Sequence, residues 1–348
     1  MNSGLTGPLV GIMAGRKLDG TIAGNGRLFM ELQKKLISLG GISFVFTHED
    51  AGTDFIDGYI FHPENNGWKK ERFPYPNLVY NRIPFRKTEQ QEECQRFFSK
   101  LKEKNIPFFN PCFIDKFELY QLLKGHRDLM HYMPDSMMVT GAEDLLLFLI
   151  RYKSIYLKPA NSSKGKGIFR LRFDLDNKLE WQDKKTTRRF QTFENFWEEA
   201  QESLLTKNYL AQEEIESAEY EGFRFDFRIL AHAAADGYEV TGIGIRQSQD
   251  QDITTHVPSG GRMLPYRQVQ TASHDKFIHT IVSPIGTTLS EQFGYFGEFS
   301  IDAAVSTTGK YYIFEVNSKP MSFDEPEIEA SKIEQLCQLF LRLSKKSI

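Results

Sequence analysis

Residues 298–317, EFSIDAAVSTTGKYYIFEVN, contain two alternating segments joined by a short polar stretch at 307–310. Alternation with a period of two predicts β-strands, and the Gly-containing stretch between them predicts a hairpin turn. Whether the turn holds two or four residues, the resulting register places Asp302 directly opposite Glu315. Two carboxylates therefore face each other across the hairpin.

This carboxylate pair predicts a metal site. Facing side chains in an antiparallel pair have Cβ atoms about 4.5–5.5 Å apart, and like charges at that distance repel unless a positive charge lies between them. Glu315 is expected to share its strand face with Ile313 and Asn317, so the Asn317 amide adds a neutral oxygen. Carboxylate and amide oxygens suit Mg²⁺ completed by water and phosphate. A solvated strand face, or a pair neutralised by Lys319, is the alternative.

A second segment, IYLKPANSSKGKGI at 155–168, indicates phosphate binding. A strand ends at Lys158, and a loop of small residues follows at 161–167. Such a loop can point backbone N–H groups at phosphates, and a lysine adds a compact positive charge. The segment lacks the P-loop pattern, and a hairpin with solvated lysines is the alternative. The residues predicted to bind phosphate are Lys158, Ser162, Ser163, Gly165 and Gly167.

The segment RFDFRIL at 224–230 predicts a strand with Arg224, Asp226 and Arg228 on one face. Facing a cleft, these guanidinium groups could bind carboxylate or phosphate, with Asp226 fixing an arginine. Arg246, at the end of the next strand, is a second candidate for stabilising an oxyanion. Cross-strand ion pairs on a solvated sheet are the alternative.

The loop at 256–262, HVPSGGR, has small residues and no secondary-structure period. It could close over a substrate through Ser259, Gly260 and Gly261, or it could be a plain loop.

Composition limits the classes of function. The 348 residues are 40% hydrophobic and 26% charged, which is typical of a globular chain of two or three domains. The net charge of -3 gives no electrostatic reason to expect nucleic acid or an anionic membrane, and favours a small or peptide-like substrate. Three separated cysteines exclude a disulfide framework and indicate a reducing compartment. The longest apolar stretch, 145–150, is far shorter than the roughly 20 residues that cross a bilayer, so we expect a cytoplasmic protein.

The order of strands and helices predicts an α/β (α+β) chain of three units: an N-terminal α/β domain at 1–112, a second unit at 113–206 and a third at 207–348. The first is predicted from strands at 8–14, 43–47, 58–61, 78–80 and 106–109 and helices at 28–39 and 88–104. The second has helices at 116–131, 143–151 and 193–205 and a strand at 154–157. The third has strands at 209–212, 224–232 and 239–246, a helix at 274–293, the hairpin, and a helix at 328–343.

The order of these motifs resembles the ATP-grasp superfamily. The sequence elements that carry the resemblance are Lys116, the 158–167 loop, QEEI at 212–215, Asp226-x-Arg228, Asp302 and Glu315-x-Asn317. From YNR at 80–82 to EVNSKP at 315–320, the chain looks like the endospore coat-associated YheC/YheD-like family. The resemblance implies an ATP-grasp architecture, in which two α+β subdomains after a small N-terminal domain clasp ATP.

The resemblance also implies roles for individual residues. Lys116 and Lys158 would contact the phosphates, with Asp226 nearby, and two Mg²⁺ ions would be shared by Asp302, Glu315 and Asn317. Arg228 and Arg246 would stabilise transferred phosphate or a bound carboxylate. Glu213, Glu214 and Ile215 would form the adenine edge, and Gln212 would also bind the nucleotide.

The activity implied is that of an ATP-dependent carboxylate–amine ligase working through an acyl phosphate, on a small molecule, a peptide or a spore-coat protein. Positioning and electrostatic stabilisation would then supply the catalysis. Arg82, after the strand at 78–80, is the candidate for binding the acceptor, with a surface arginine as the alternative. Two other functions remain open: a non-catalytic nucleotide-binding protein of spore-coat assembly, and a small-molecule kinase.

Overall fold

The computed structural model describes residues 7–160, 167–174, 176, 178–183, 186–248 and 261–345. Most of its strands form three six-stranded sheets. The N-terminal sheet has the order β6-β5-β4-β1-β7-β8, and β2 and β3 form a separate ribbon. The strands are β1 (Leu9–Met13), β2 (Gly15–Arg16), β3 (Ile22–Ala23), β4 (Ile42–Phe46), β5 (Phe55–His62), β6 (Gly67–Pro74), β7 (Leu78–Asn81) and β8 (Phe108–Phe109). The helices are α1 (Gly26–Ser38), α2 (Arg86–Glu89) and α3 (Glu92–Glu103).

The second sheet is antiparallel throughout its described pairs, in the order β13-β12-β11-β10-β14-β9. Its strands are β9 (Ser136–Met138), β10 (Ser154–Pro159), β11 (Phe169–Phe173), β12 (Leu179–Gln182), β13 (Thr187–Phe190) and β14 (Tyr209–Glu213). The helices in this part of the chain are α4 (Lys116–Lys124), α5 (Ala142–Tyr152) and α6 (Phe193–Thr206). The apolar faces of α5 and α6 cover one side of the sheet and bury Leu149 and Phe196.

The third sheet has the order β18-β17-β16-β19-β20, with β15 paired to β16. Its strands are β15 (Glu219–Tyr220), β16 (Phe223–Ala233), β17 (Tyr238–Gln247), β18 (Arg262–Leu264), β19 (Glu298–Val305) and β20 (Tyr311–Asn317). Two helices complete the chain, α7 (Ala272–Phe293) and α8 (Pro326–Lys345). Helix α7 packs Ile281 and Ile285 into a core with Phe227 and Phe299 of the sheet. Because Phe227 points into this core, its neighbours Asp226 and Arg228 point to the opposite face.

Packing crosses the predicted unit boundaries. Strand β14 pairs with β10 in the second sheet, although the sequence division assigned it to the third unit. Leu119 and Leu123 of α4 lie in the core of the third sheet rather than the second. Helix α8 packs on α1, and its Phe340 contacts Tyr80 and Phe109 of the N-terminal sheet. Hydrophobic faces therefore pair between units that are far apart in sequence.

Two predicted helices differ from the structure. The helix predicted at 116–131 ends at Lys124, because Gly125 is its C-cap and a short 3₁₀ turn follows at Met130–Tyr132. The helix predicted at 88–104 is two helices, α2 and α3, that meet at residues 90–91. No described helix is both long and apolar enough to cross a membrane.

The hairpin of β19 and β20 pairs Asp302 with Glu315, which confirms the predicted register at that point. The turn differs from the prediction, since Ser306 pairs with Lys310 across three residues, and Gly309 takes the positive φ of +81°. A register shift after Asp302 compensates for the odd loop length. The shift leaves Phe314 as the extra residue in β20.

This bulge corrects one predicted face. Ile313 pairs with Ala303 and is fully buried in the core, so it does not share the face of Glu315. Phe314 instead lies next to Glu315 at the cleft described below. Bulges commonly re-aim a side chain in this way near functional sites.

Candidate nucleotide and metal site

A cleft lies between the second and third sheets. The space between its walls is open to solvent and amounts to about 570 Å³ when that open space is counted. Strands β10 and β14 supply one wall, and β16 and β20 supply the other. The lining residues are Tyr156, Lys158, Ile168, Gln212, Glu213, Ile215, Ser217, Arg224, Asp226 and Phe314.

Lys158, near the end of β10, is the cation at the centre of this cleft. Its Nζ donates to Gln212 Oε1 at 2.5 Å and lies 5.8 Å from the centroid of the Phe314 ring. The pKa of Lys158 is lowered to about 8, first by burial and then by the neighbouring ammonium of Lys116, against the opposing effect of Glu315. The lysine is thus a desolvated positive charge, which an anionic ligand would stabilise.

Three residues of the QEEI segment at 212–215 line the cleft. Gln212 Nε2 donates to Ser136 Oγ at 3.1 Å while its oxygen accepts from Lys158, so the amide is held on both sides. The Glu213 carboxylate accepts from the backbone N–H of Asp135 at 2.8 Å. Ile215 adds an apolar surface to the lining.

Glu214, by contrast, is absent from the residues that line the cleft. Its carboxylate binds Arg170 Nη1 at 3.0 Å and Tyr156 Oη at 3.3 Å, and it also accepts from Ser154. Glu214 therefore holds Arg170 and Tyr156 in place and does not itself line the cleft.

The carboxylates of the hairpin lie beside this cleft. The pKa of Asp302 is raised to about 6. Burial is the largest cause, the carboxylates of Glu315 and Asp226 also raise it, and the Arg228 guanidinium opposes the rise. Asn317 Nδ2 donates to Asp302 Oδ2 at 3.1 Å, and the Lys116 ammonium forms an ion pair with Glu315. The alternative cation, Lys319, pairs instead with Glu89.

These residues fit a divalent cation. The desolvation and mutual repulsion that raise the pKa of Asp302 are relieved when a cation binds between the carboxylates. In the part of the chain that the structure describes, no three His, Cys, Asp or Glu side chains are grouped as ligands for one metal ion. The two carboxylates and the Asn317 amide therefore depend on phosphate and water oxygens to complete a Mg²⁺ shell.

The two candidate arginines lie in different environments. Arg228 is the cross-strand partner of Asp302, and its guanidinium donates to Met321 O at 3.2 Å and stacks 4.4 Å from the Phe323 ring. Arg246 is 5% exposed and forms a bidentate pair with Glu325 at 2.5 and 3.0 Å. Arg228 is the more accessible of the two to a ligand beside Asp302.

The remaining predicted residues are dispersed. Arg82 is buried against Glu298 and Pro320 and is not a surface arginine. Gly167 has a φ of +72°, and Tyr209 donates to its carbonyl at 3.0 Å. Gly261 directly precedes β18. Ser162, Ser163, Gly165, Ser259 and Gly260 lie outside the described residues.

Sequence reasoning missed part of the lining. Phe314 reaches the cleft only because of the bulge, and no local signal marks it. Tyr156 and Ile168 flank the Lys158 loop and could have been included from their positions. Arg224 was predicted to share a face with Asp226, and that shared face could have suggested its place in the lining.

The chain has the ATP-grasp fold, with three sheets and a cleft between the second and the third. Its structure is similar to D-alanyl-alanine synthetase A from Vibrio cholerae (TM-score 0.59, 12% identity, covering 98% of this chain and 99% of that one). It is also similar to the ATP-grasp ligase PsnB complexed with a minimal precursor (TM-score 0.58, 13% identity, 96% and 98%). The chain belongs to the YheC/D-like ATP-grasp family, whose model matches residues 105–346.

Two relatives come from Bacillus subtilis strain 168. The endospore coat-associated protein YheD is 29% identical over 334 residues, covering 90% of this chain and 73% of YheD. The endospore coat-associated protein YheC is 23% identical over 332 residues, covering 88% and 91%. The expected family is thus confirmed.

Proposed function

We propose that this protein is an ATP-dependent ligase that joins a carboxylate to an amine, or a related nucleophile, through an acyl phosphate. One observation carries the proposal. A desolvated lysine on the second sheet lines the cleft, and a facing carboxylate pair on the third sheet lies beside it. A Mg-nucleotide carries both complementary charges, because its phosphates are anionic and its metal is cationic.

ATP would lie with its base and its phosphates at different parts of this cleft. Ile215 and Phe314 offer apolar surfaces that suit a base. Lys158 and Lys116 supply positive charge for the phosphates. Asp302, Glu315 and Asn317 would hold Mg²⁺, which neutralises developing charge on the phosphate oxygens when it is bound.

Arg228 is the chain's own group for the carboxylate substrate. It lies across the strand pair from Asp302, so a carboxylate bound there would be adjacent to the phosphate held at the metal site. The carboxylate oxygen would attack the γ-phosphate, ADP would leave, and the amine would then displace phosphate from the acyl carbon. These steps need no side-chain nucleophile, since positioning and charge stabilisation suffice.

A peptide is our proposed substrate class. The structural neighbour PsnB has been solved in complex with a precursor peptide, and the two Bacillus relatives are described as endospore coat-associated. A peptide acid, a spore-coat protein or a small acid would all present the carboxylate that Arg228 can bind.

The test measures ADP release and product mass after incubation with ATP, Mg²⁺ and a pool of peptides and metabolites. We expect an amide product whose formation is lost in Asp302→Asn and in Glu315→Gln. A stable phosphorylated product would favour a kinase, and Mg-ATP binding without turnover would favour a nucleotide-binding assembly protein. ADP formation unaffected by both substitutions would refute the assigned metal site. Glu199→Gln, which removes an exposed ion pair with Arg188, is the control.

A further inference from the structure

Residues 318–320 directly follow the proposed metal ligand Asn317, and each contacts a buried side chain from the N-terminal part of the chain. The three contacts are of three kinds: an amide to a carbonyl, an ion pair, and a guanidinium to a carbonyl. Together they fix the main chain at the end of β20 from outside the third sheet.

Asn110 makes the first contact and is fully buried. Its Nδ2 donates to Glu298 O at 2.9 Å and to Ser318 O, while its Oδ1 accepts from the backbone N–H groups of Gly297 at 2.9 Å and Glu298 at 3.2 Å. Glu298 begins β19, and Ser318 follows the end of β20. One side chain therefore ties together the open ends of the two strands that carry the proposed metal ligands.

Lys319 makes the second contact. Its ammonium pairs with the Glu89 carboxylate, and both side chains are 4% exposed. The partner is itself fixed, because Glu89 also accepts from Asn81 Nδ2 at 2.8 Å and from the backbone N–H of Phe113 at 2.8 Å. A buried pair with this many bonds holds the main chain at Lys319 to one position.

Arg82 makes the third contact. Its Nη2 donates to Pro320 O at 2.9 Å, and its Nη1 donates to Glu298 Oε1 at 3.0 Å. The Glu298 carboxylate also accepts from Tyr80, so the guanidinium is anchored on the first residue of β19. Arg82 thus links the first residue of β19 to the segment that follows β20.

We infer that Asn110, Glu89 and Arg82 are positioning residues for the metal-bearing hairpin: they hold residues 318–320 so that Asn317 stays aligned with Asp302. Mg²⁺ demands near-ideal octahedral geometry, so a small displacement of one oxygen ligand weakens its binding. Residues that orient metal ligands without touching the metal typically change metal affinity about 10- to 100-fold when substituted. The inference rests on the proposed function, because it needs the hairpin to bind Mg²⁺ together with nucleotide.

The test uses the full chain with Glu89→Gln, Lys319→Met and the double variant. ADP binding is titrated with Mg²⁺ to obtain the half-saturating metal concentration, ADP affinity is measured in EDTA, and the thermal midpoint is recorded. We expect each variant to need about tenfold more Mg²⁺ while its ADP affinity in EDTA is unchanged. The double variant, which buries no unpaired charge, should recover thermal stability but keep the higher Mg²⁺ requirement.

Two further variants separate positioning from simple destabilisation. Asp50→Asn weakens the ion pairs that the buried Asp50 carboxylate forms with the partly exposed Arg16 and Lys70, without touching residues 318–320, so it should lower the thermal midpoint alone. Arg82→Lys keeps a charge beside Glu298 but shortens the reach to Pro320, which gives a milder substitution if the others fail to fold.

Different results would refute the positioning role and the proposed metal site. An unchanged Mg²⁺ requirement in the folded variants would overturn the positioning role, whatever their thermal midpoints. If the wild-type chain binds ADP with no Mg²⁺ dependence, the proposed metal site itself is wrong.

Discussion

The pKa of Lys158 leads to a pH-dependent affinity for nucleotide. Its value of about 8 in the free protein comes first from burial and then from the repulsion of Lys116. Bound phosphates raise the pKa of a nearby ammonium, so the complex keeps the proton that the free site loses. By linkage, affinity for ADP should fall as the pH rises through about 8.

The size of the effect follows from the populations. With a pKa of about 8, Lys158 is about 90% charged at pH 7 and about 10% charged at pH 9. If the charged form alone binds well, the dissociation constant of ADP should rise about tenfold over that interval, or about 1.4 kcal/mol. Other groups in the cleft that do not titrate between pH 7 and pH 9 contribute equally to binding at both values, so they do not change the ratio of the two dissociation constants.

Calorimetric titration of ADP at pH 7 and pH 9 measures this ratio, with two variants as controls. Lys158→Arg keeps its charge at both values, so its affinity should not change with pH. Lys158→Met should bind weakly and equally at both. Lys319 also has a pKa of about 8, lowered by burial, but it lies with Glu89 outside the cleft.

The comparison with Lys158→Met decides the interpretation, since that variant keeps Lys319. A tenfold loss between pH 7 and pH 9 that persists in Lys158→Met would refute the assignment to Lys158. A pH-independent affinity in the wild-type chain would refute the lowered pKa itself.

Three further predictions concern packing and stability. Phe314→Ala should weaken ADP binding by about 1–3 kcal/mol if the ring stacks on the base, and Phe314→Leu should recover part of the loss. An ADP affinity of Phe314→Ala equal to that of the wild-type chain in calorimetry would contradict stacking. Phe227→Ala should lower the free energy of unfolding in urea by about 3–5 kcal/mol, because Phe227 is fully buried beneath the site face; a loss below about 1 kcal/mol would contradict that packing. Burial lowers the pKa of His232 to about 4, so the unfolded chain binds an extra proton below about pH 6.5. About 3 kcal/mol of stability should therefore be lost as the pH falls from 6.5 to 4. The stability of His232→Gln should depend less steeply on pH, and an identical pH dependence would contradict the assignment to His232.

The local patterns predicted much of the site's composition. Alternation in the hairpin placed Asp302 opposite Glu315, because a strand's period of two determines which residues share a face. The same rule placed Asp226 and Arg228 opposite the core residue Phe227. The small-residue loop after Lys158 was predicted from composition, and the lysine itself lies at the cleft.

The polar strands of the second sheet were not predicted. Strand β13 has the sequence TRRF, and its first three residues are exposed. Only its Phe190 packs in the core, while Arg188 contacts Glu199 of α6 and the Trp181 ring of β12. A strand with one buried residue has no hydrophobic period for sequence analysis to detect.

The sequence by itself determined which residues alternate between the two faces of a regular strand, since that depends only on neighbours along the chain. It did not determine the bulge at Phe314, which moved Ile313 to the core face. Tertiary structure decided which charges meet. Lys116 pairs with Glu315, although the two residues are 199 positions apart in the sequence. Lys319, which is close to Glu315 in the sequence, pairs with Glu89 instead, and Arg246 pairs with Glu325. Charge interactions weaken with distance in space and not with separation in sequence. These pairings therefore exist only after the three sheets pack together.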